Sequence, residues 1–302
     1  MTEFKKLWAL VQRNIKCYFK DKMLFFVSLI TPMILLVLFV TFLRSIYLSS
    51  FDSIFEAFSF TPDGRVVEGL AGAWLISSIL AVSSVTVAFC SNAVMINDKI
   101  EGSINDFRVA PVNGVTLSVS YFIANFIVTL IVMLSVMVIG FIYLAIVGWY
   151  LTIADVLMIV VDILCSVLFG TLLAGVVESF ISSQGGLSAV STLVSSMYGF
   201  LCGAYMPLSQ FAEGMRNVIG VLPGTYGVGM MRTHFMASYI EKLGEMGLGA
   251  EGQKVLLDSF DGNLYFAGTQ IPLWGMYAIL LGACAVLFLV YVAIVILKNK
   301  KK

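Results

Sequence analysis

The chain contains few charged residues. Of its 302 residues, 12% are Asp, Glu, Lys or Arg, whereas 60% are hydrophobic. A soluble globular domain usually has about 25% charged residues, so a water-soluble fold of this size would lack the polar groups needed to cover its apolar interior. A lipid bilayer removes the difficulty, because apolar side chains that face acyl chains need no polar cover. The composition therefore predicts an integral membrane protein.

Residues that carry out chemistry are also scarce. The single histidine, His234, cannot build a metal site alone, and the five cysteines form no CxxC or Cys/His cluster. No apolar run holds a Ser/His, paired Asp or HExxH arrangement, which argues against an intramembrane enzyme. The phosphate-binding pattern G-x-x-x-x-G-K-[ST] is missing. We therefore expect no catalytic residue, metal or cofactor on this chain. The zero net charge suggests no nucleic-acid partner.

Long apolar runs dominate what is present. A helix that crosses a bilayer needs about 20 mostly apolar residues. The first run is too long for the core of a signal peptide, so we expect it to be retained. The fourth and fifth runs are separated by a short polar turn. The sequence predicts an all-α membrane protein with a single membrane domain over residues 1–302. Its six predicted transmembrane helices are 23–44, 70–96, 115–147, 153–181, 187–207 and 272–297.

The basic residues predict the orientation of the chain. Six spans place segments 1–22, 97–114, 182–186 and 298–302 on one side, and these hold 12 of the 18 basic residues. The other six basic residues are spread over longer loops on the opposite side. Short loops rich in Lys and Arg stay in the cytoplasm. Both termini are therefore predicted to be cytoplasmic in a multi-pass plasma-membrane protein.

Two predicted cytoplasmic segments are amphipathic. Residues 3–22 alternate apolar and basic positions at helical spacing, which predicts a helix lying in the membrane interface. That helix would be a plain anchor, a docking surface for a cytoplasmic partner, or both. In segment 97–114, Ile100, Ile104 and Phe107 also repeat at helical spacing, and Pro111 ends the element. A short helix fits this pattern, although taken alone the segment could be a solvated connector.

The predicted outer segment 208–271 is not uniformly polar. Residues 215–236 are too apolar for a free loop and too interrupted for a span. This pattern predicts a pair of re-entrant or interfacial helices that is broken at Pro223. Residues 241–262 are charged and rich in glycine, which predicts a solvated cap.

Two ionisable residues lie inside the fourth run. Such groups are costly in a bilayer and are candidates for function. For Asp162 the alternative is a structural hydrogen bond to Ser or Thr of another helix. For Glu178 the alternative is contact with water at the headgroups. A proton relay would need a partner charge, and no basic residue lies within any run. In the fifth run, Gly199 and Gly203 form a GxxxG pattern typical of close helix packing.

Four motifs, taken in order, resemble a known family. They are Arg13-Asn14 with Phe19-Lys20-Asp21-Lys22, Glu101-Gly102-Ser103 with Arg108-Val109-Ala110-Pro111-Val112, Tyr205-Met206-Pro207-Leu208, and Leu222-Pro223-Gly224-Thr225-Tyr226 with Arg232 soon after. On a chain of six spans, this order resembles the permease subunit of type-2 ATP-binding-cassette (ABC) exporters. That group includes bacterial exporters of drugs, antibiotics and polysaccharides. Phe107 and Val109 depart from the residues that often flank the arginine in this family.

The resemblance implies a division of labour. Residues 97–112 would be a coupling helix that seats in a separate ABC ATPase, which would bind ATP and Mg. Residues 1–22 would be an interfacial connecting helix, and residues 209–236 would gate the exit outside the cell. A second permease, identical or related, would complete the pathway. The implied coupling residues are Asp98, Glu101, Gly102, Ser103, Ile104, Phe107, Arg108 and Pro111, those of the connecting helix are Arg13, Lys20 and Asp21, and those of the gate are Pro207, Pro223, Tyr226 and Arg232.

Two functions remain open at this point. The first is the membrane-spanning subunit of an ATP-driven bacterial exporter, with a hydrophobic or amphipathic drug, antibiotic or peptide as cargo. The second is an ion-coupled secondary transporter or a channel subunit. That alternative predicts inverted repeats and paired charges inside the membrane, and the sequence shows no convincing repeat.

Overall fold

A computed structural model describes residues 3–109, 112–266 and 268–300. This part of the chain forms twelve α-helices and one small hairpin. The helices are α1 (Glu3–Lys20), α2 (Lys22–Leu38), α3 (Arg44–Ala57), α4 (Gly64–Ile100), α5 (Ser103–Val109), α6 (Gly114–Val147), α7 (Ile153–Glu178), α8 (Gln184–Leu201), α9 (Glu213–Val221), α10 (Pro223–Glu245), α11 (Ala250–Ser259) and α12 (Leu273–Lys300). The hairpin pairs β1 (Leu264–Phe266) with β2 (Thr269–Ile271).

The predicted all-α membrane fold agrees with this architecture apart from the hairpin. In the described residues, five helices are long and apolar enough to cross a membrane: Lys22–Ala57, Gly64–Ile100, Gly114–Val147, Ile153–Glu178 and Leu273–Lys298. Helix α8 occupies the fifth predicted run, but it ends at Leu201 rather than at residue 207, and its Ser, Thr and Gly residues lower its hydropathy. The count of six spans therefore stays a prediction.

Helix α4 forms the centre of the bundle. It packs against α2, α6, α7, α8 and α10, and most of its side chains are buried. Because α4 is covered on every side, it has no polar face, and many of its residues are Ala, Ser and Val. Small side chains let neighbouring helices approach closely. Gly170 of α7 is one such contact: a Cβ atom there would lie 2.5 Å from the carbonyl oxygen of Ser84 and 3.0 Å from the Cα of Val85.

Replacing Gly170 by alanine is therefore expected to destabilise the fold. The added methyl group meets backbone rather than a flexible side chain, so α4 and α7 must separate, at a cost of about 1–3 kcal/mol. Gly282→Ala on α12 is the matched control, because a Cβ there meets no atom within 4 Å. That change should be neutral or stabilise by up to about 1 kcal/mol. The check is the melting temperature of each purified variant in detergent, and equal shifts for both would contradict the prediction.

The first long helix continues beyond its predicted end at residue 44. Helix α2 passes through a π-helical segment, Phe39–Leu43, directly into α3. The predicted spans 23–44 and 70–96 left the residues between them as a loop, yet Tyr47, Phe51 and Phe55 recur every four residues and are buried. Phe51 lies 4.2 Å from the ring of Phe260, measured between centroids. Burial of this aromatic stripe explains why the chain stays helical after the first apolar run ends.

The glycines of the predicted GxxxG pattern do not share a helix face. Helix α8 ends at Leu201, and Gly203 has φ +70°, outside the helix. The amide of Ala204 donates to the carbonyl of Gly199, and the amide of Gly203 donates to that of Phe200. These two bonds form a Schellman cap, in which glycine tolerates the left-handed conformation. Gly203 therefore ends the helix and does not extend its packing surface.

Segment 208–271 is mostly helical. The break between α9 and α10 lies where the sequence predicted it, because Leu222 is extended and Pro223, which has no N–H to pair, is the first residue of α10. Helix α10 runs on to Glu245 and is largely buried. The predicted solvated cap at 241–262 thus includes the end of α10 and all of α11. Whether α9 and α10 re-enter the membrane stays a prediction.

Candidate functional site

A half-buried ion pair joins α1 to the end of α4. The guanidinium of Arg13 donates to both carboxylate oxygens of Asp98, with an Nη2–Oδ1 distance of 2.8 Å. The hydroxyl of Tyr121 donates to Oδ2 of the same carboxylate at 2.5 Å. Asp98 is only 5% exposed. Bidentate hydrogen bonds between an arginine and a carboxylate are among the strongest side-chain hydrogen bonds. The pair therefore fixes α1 against α4, and Tyr121 adds α6 to the contact.

The same arginine also contacts α5. Its Cζ atom lies 5.3 Å from the centroid of the Phe107 ring, a cation–π contact. Next to it on α1, the amide of Asn14 donates to the Ser120 hydroxyl of α6 at 3.4 Å. One side chain, Arg13, therefore links the connecting helix, the central helix and the short helix between predicted spans two and three. The sequence indicated Arg13, Asp98 and Phe107 separately but not that they meet.

The remaining predicted coupling residues lie around the turn into α5. Glu101 is exposed and forms the C-cap of α4, and Gly102 has φ +82°, which a glycine adopts without strain. Ser103 is the first residue of α5, and Ile104 lines a pocket beneath it. The predicted segment 97–112 is thus the last turn of α4, a tight turn and a helix shorter than expected. The side chain of Arg108 and all of Pro111 lie outside the described residues.

Two predicted residues of the connecting helix lie apart from this cluster. Lys20 is exposed in the last turn of α1, about 10 Å along the helix from Arg13. Asp21 is the N-cap of α2, and its carboxylate accepts a hydrogen bond from the amide of Leu24 at 3.0 Å. Helix capping explains an acidic residue at this position. The structure gives Asp21 a structural role and does not bring it to Arg13.

At the opposite end of the bundle, Arg232 of α10 is 1% exposed. Its Nη1 donates to the carboxylate of Asp261 at 2.7 Å, and its Nη2 donates to the Ser78 hydroxyl at 3.1 Å and to the carbonyl of Gly203 at 2.9 Å. Its Cζ lies 4.6 Å from the ring centroid of Trp74. Arg232 therefore ties α10 to α4, to the end of α8 and to the turn after α11.

The partner of Arg232 was missed by sequence reasoning. Asp261 stands in a charged, glycine-rich stretch that suggested solvent, but it is 3% exposed. It also accepts a hydrogen bond from the amide of Leu208 at 2.8 Å. Burial raises the pKa of Asp261 to about 6, while the charge of Arg232 and the hydrogen bond from Leu208 act in the opposite direction. At neutral pH the two groups form a buried ion pair.

The other predicted gate residues shape the same end. Pro207 precedes a 3-10 turn, Leu208–Gln210, and Pro223 starts α10. The buried hydroxyl of Tyr226 donates to the carbonyl of Gly220 at 2.6 Å. The hydroxyl of Thr225 donates to the carbonyl of Ile219 at 2.7 Å. These bonds hold α9 against the first turn of α10 across the break.

Asp162 of α7 has partners that differ from those expected. Its Oδ2 lies 2.6 Å from Nδ1 of His234 on α10, and its Oδ1 accepts from the hydroxyl of Tyr277 on α12. The expectation of a Ser or Thr partner was therefore wrong. His234 was overlooked because α10 lies outside the apolar runs. Asp162 and His234 are buried and Tyr277 is half-buried, and together the three side chains join three helices.

Glu178 does not reach headgroup water, as one interpretation had it. It is fully buried, and its Oε2 accepts a hydrogen bond from the amide of Asn92 on α4 at 2.6 Å. Lys99, one helical turn after Met95 on α4, donates to the carbonyls of Glu178 and Ile181 at 3.4 Å each. Glu178 therefore helps to fix the end of α7 to α4. Within the described residues, no three His, Cys, Asp or Glu side chains are grouped so that they could hold a metal ion.

Comparison with known families decides the identity. The family model described as ABC-2 type transporter matches residues 5–236. The chain belongs to the ABC-2 type transporter family. It is the permease subunit of an ABC transporter, and membership implies an ABC ATPase as partner. No curated protein matches the chain. The matched region includes Arg13, Asp98, α5 and Arg232, whereas Asp261 and α12 follow it.

The ABC-2 permease has a large cavity between α2 and α8. Its volume is about 570 Å³, and both helices pack on α4, which forms its back wall. The lining is mainly apolar, with Leu35 and Leu38 from α2 and Phe200 from α8. Trp74 and Ser78 of α4 also line the cavity, and both contact Arg232. The buried arginine therefore supports the cavity wall directly.

Proposed function

We propose that this permease is the membrane-spanning subunit of an ATP-driven exporter, in which α5 couples to the ABC ATPase. The observation that carries the proposal is the contact of Arg13 with both Asp98 and Phe107. A force that moves α5 acts through Phe107 on Arg13, and through Asp98 on α4. Because α4 contacts most of the bundle, its displacement would reach the cavity between α2 and α8.

The cavity supports a hydrophobic or amphipathic cargo such as a drug, an antibiotic or a peptide. Ligand sites are usually concave, largely apolar and about 300–1,000 Å³ in volume, and this cavity fits that description. Its polar groups include the hydroxyls of Thr31, Ser78, Ser195 and Ser196. Hydroxyls can orient a cargo without demanding a charge. A strongly charged cargo would find no opposite charge among the described side chains that line this cavity.

We propose that two permeases, identical or related, form the pathway. The surfaces of α2 and α8 on either side of the cavity carry large exposed apolar side chains, and a second subunit would cover them and close the cavity. They are Phe26, Ile30, Met33, Ile34, Val37 and Leu38 on α2, and Leu193, Met197 and Phe200 on α8. ATP and Mg would be bound by the ATPase alone. The orientation that fits is both termini in the cytoplasm of a bacterial cell.

The test is to co-purify the permease with the ATPase encoded beside it and to measure ATP hydrolysis in nanodiscs. Glu101→Gln should weaken association and turnover at least tenfold, because Glu101 is exposed at the turn into α5 and would face the ATPase. Glu56→Gln on α3, also exposed, is the control and should leave both unchanged. If no ATPase associates, or if both variants behave like the wild type, the proposal fails.

The alternative of an ion-coupled secondary transporter has one observation behind it, the contact between Asp162 and His234, in which a buried carboxylate lies beside an imidazole. Membership of the ABC-2 type transporter family argues against it. This alternative predicts transport in proteoliposomes that is driven by a proton gradient, without ATP or an ATPase, and is lost in Asp162→Asn. Transport that requires ATP hydrolysis and persists without a gradient would exclude it.

A further inference from the structure

The turn between α7 and α8, residues 179–183, carries an exposed aromatic side chain. Phe180 is 70% exposed, whereas the other exposed side chains of this α7–α8 turn, Ser182 and Ser183, are small and polar. The turn lies at the same end of the bundle as α5, on the side that the basic segments predict to be cytoplasmic. An exposed phenylalanine at a helix end has two possible neighbours here, the lipid around the bundle or a protein beneath it.

The surface of α7 argues against lipid as that neighbour. In residues 165–178, all of which the structure describes, no side chain is exposed, because α4, α6, α10 and α12 pack against this helix. The exposed apolar side chains of α7 lie in its first half, between Ile153 and Leu164. Lipid chains that contact this first half therefore have no continuous surface of α7 that leads to Phe180. The ring is exposed only at the end of the bundle.

The α7–α8 turn is held firmly in place. The amide of Ile181 donates to the carbonyl of Glu178 at 3.1 Å. The ammonium of Lys99 on α4 donates to the carbonyls of the same two residues at 3.4 Å each. The Ile181 side chain packs on an apolar cluster that includes Tyr121 of α6. Because the backbone is already ordered, a partner that binds Phe180 would lose little free energy in fixing this turn.

The α7–α8 turn borders the same depression as α5. This depression has a volume of about 360 Å³, and its lining includes Ser179 at the start of the turn together with Ile104 and Phe107 of α5. Ile100, which ends α4 beside the turn into α5, is 41% exposed. A protein that binds α5 across this depression therefore also reaches the α7–α8 turn and can cover the exposed ring.

We propose that the α7–α8 turn is a second docking surface for the ABC ATPase, with the Phe180 ring seated in an apolar pocket of that subunit. Aromatic side chains are enriched in the buried centre of protein interfaces. The inference rests on the proposed coupling of α5 to the ATPase and adds a second point of contact to it.

The second contact would act on a different wall of the large cavity. Helix α5 acts on α4 through Arg13, whereas the α7–α8 turn leads directly into α8, which begins at Gln184. Both α4 and α8 line the cavity of about 570 Å³. An ATPase that holds α5 and the α7–α8 turn together can therefore move these two walls relative to each other.

The experiment measures the affinity of the ATPase encoded beside the permease for the full-length permease in nanodiscs, by biolayer interferometry. Phe180→Ala should weaken binding about tenfold, as expected for the loss of an interface anchor. Phe42→Ala is the matched control, because Phe42 is 69% exposed but belongs to the π-helical segment between α2 and α3. It should change the affinity less than twofold. Glu101→Gln is the reference for binding through α5.

Photo-cross-linking tests the contact without removing Phe180. With p-benzoylphenylalanine in place of Ser182, irradiation of the assembled transporter should join the permease to the ATPase. The same amino acid in place of Ile153, which is exposed at the other end of α7, should not. Weaker binding by Phe180→Ala together with the cross-link at position 182 would support the proposal.

The possible failures are distinguishable. If the wild type binds no ATPase, the proposed function fails and the second docking surface fails with it. If Glu101→Gln weakens binding while Phe180→Ala binds like the wild type, and position 182 forms no adduct or an adduct with phospholipid alone, the coupling through α5 stands. The α7–α8 turn is then not a docking surface, and the inference is overturned.

Discussion

Asp261→Asn is expected to destabilise the permease by about 3–5 kcal/mol, because it leaves a guanidinium buried without its counter-charge. Arg232 is 1% exposed and cannot turn to water. Its remaining partners are carbonyls, the Ser78 hydroxyl and the face of Trp74, which are neutral. The check is a large fall in melting temperature in detergent, together with loss of monodisperse protein at room temperature.

The control for that change is Asp52→Asn, which removes an exposed carboxylate from α3 and should shift the melting temperature little. The double variant Arg232→Met with Asp261→Asn separates the cost of an unpaired charge from the value of the pair. Removing both charges should recover much of the stability that Asp261→Asn loses. An Asp261→Asn protein as stable as the wild type would show that the pair does not fix α10 to α4.

Arg13→Gln is expected to be the most damaging change at the coupling end, costing about 3 kcal/mol and abolishing ATP-driven turnover. The reason lies in what each substitution leaves behind. The Asp98 side chain is 7% exposed and would remain as a buried carboxylate, with the Tyr121 hydroxyl as its one remaining side-chain donor among the described residues. Asp98→Asn should cost less, because the Arg13 side chain is 34% exposed and can reach water.

The measurement pairs melting temperature with ATP hydrolysis by the assembled transporter. Arg13→Gln with Asp98→Asn completes a double-mutant cycle and should be more stable than the sum of the single changes predicts. Phe107→Ala is the companion variant, because it removes the contact of Arg13 with α5 but keeps the ion pair between Arg13 and Asp98. It should leave the fold intact and still lower turnover. If Arg13→Gln and Asp98→Asn have equal and small effects, the pair is a surface contact of little consequence.

Much of the fold could be predicted because local sequence dictates it. A backbone in hydrocarbon must satisfy its own hydrogen bonds, so long apolar runs become helices. For the same local reason the break at Pro223 was visible, since proline has no N–H to pair. The helical repeat of Ile100, Ile104 and Phe107 likewise indicated a helix, although Ile100 is the last residue of α4 and the described part of α5 covers residues 103–109.

The predictions from sequence were wrong where tertiary packing buries residues that their polarity had assigned to water. The stretch after Arg44 was left as a loop because it lies between two predicted spans, yet its aromatic side chains pack on Trp74 and Phe260. Asp261 lies in the predicted solvated cap, and one interpretation placed Glu178 at headgroup water, yet the structure buries both. Polarity along the chain does not show which polar groups find a partner inside.

The few charged residues of the chain show most clearly what the sequence determines and what the tertiary structure decides. The sequence by itself determined that this is a helical membrane protein and indicated Asp162, while the family resemblance pointed to Arg13, Asp98 and Arg232. Only the tertiary structure decided that Arg13 meets Asp98, that Arg232 meets Asp261 and that Asp162 meets His234. The physical reason is that helix formation depends on near neighbours in the chain. The partner of a buried charge depends instead on which helices pack together, here across 29 to 85 residues of sequence.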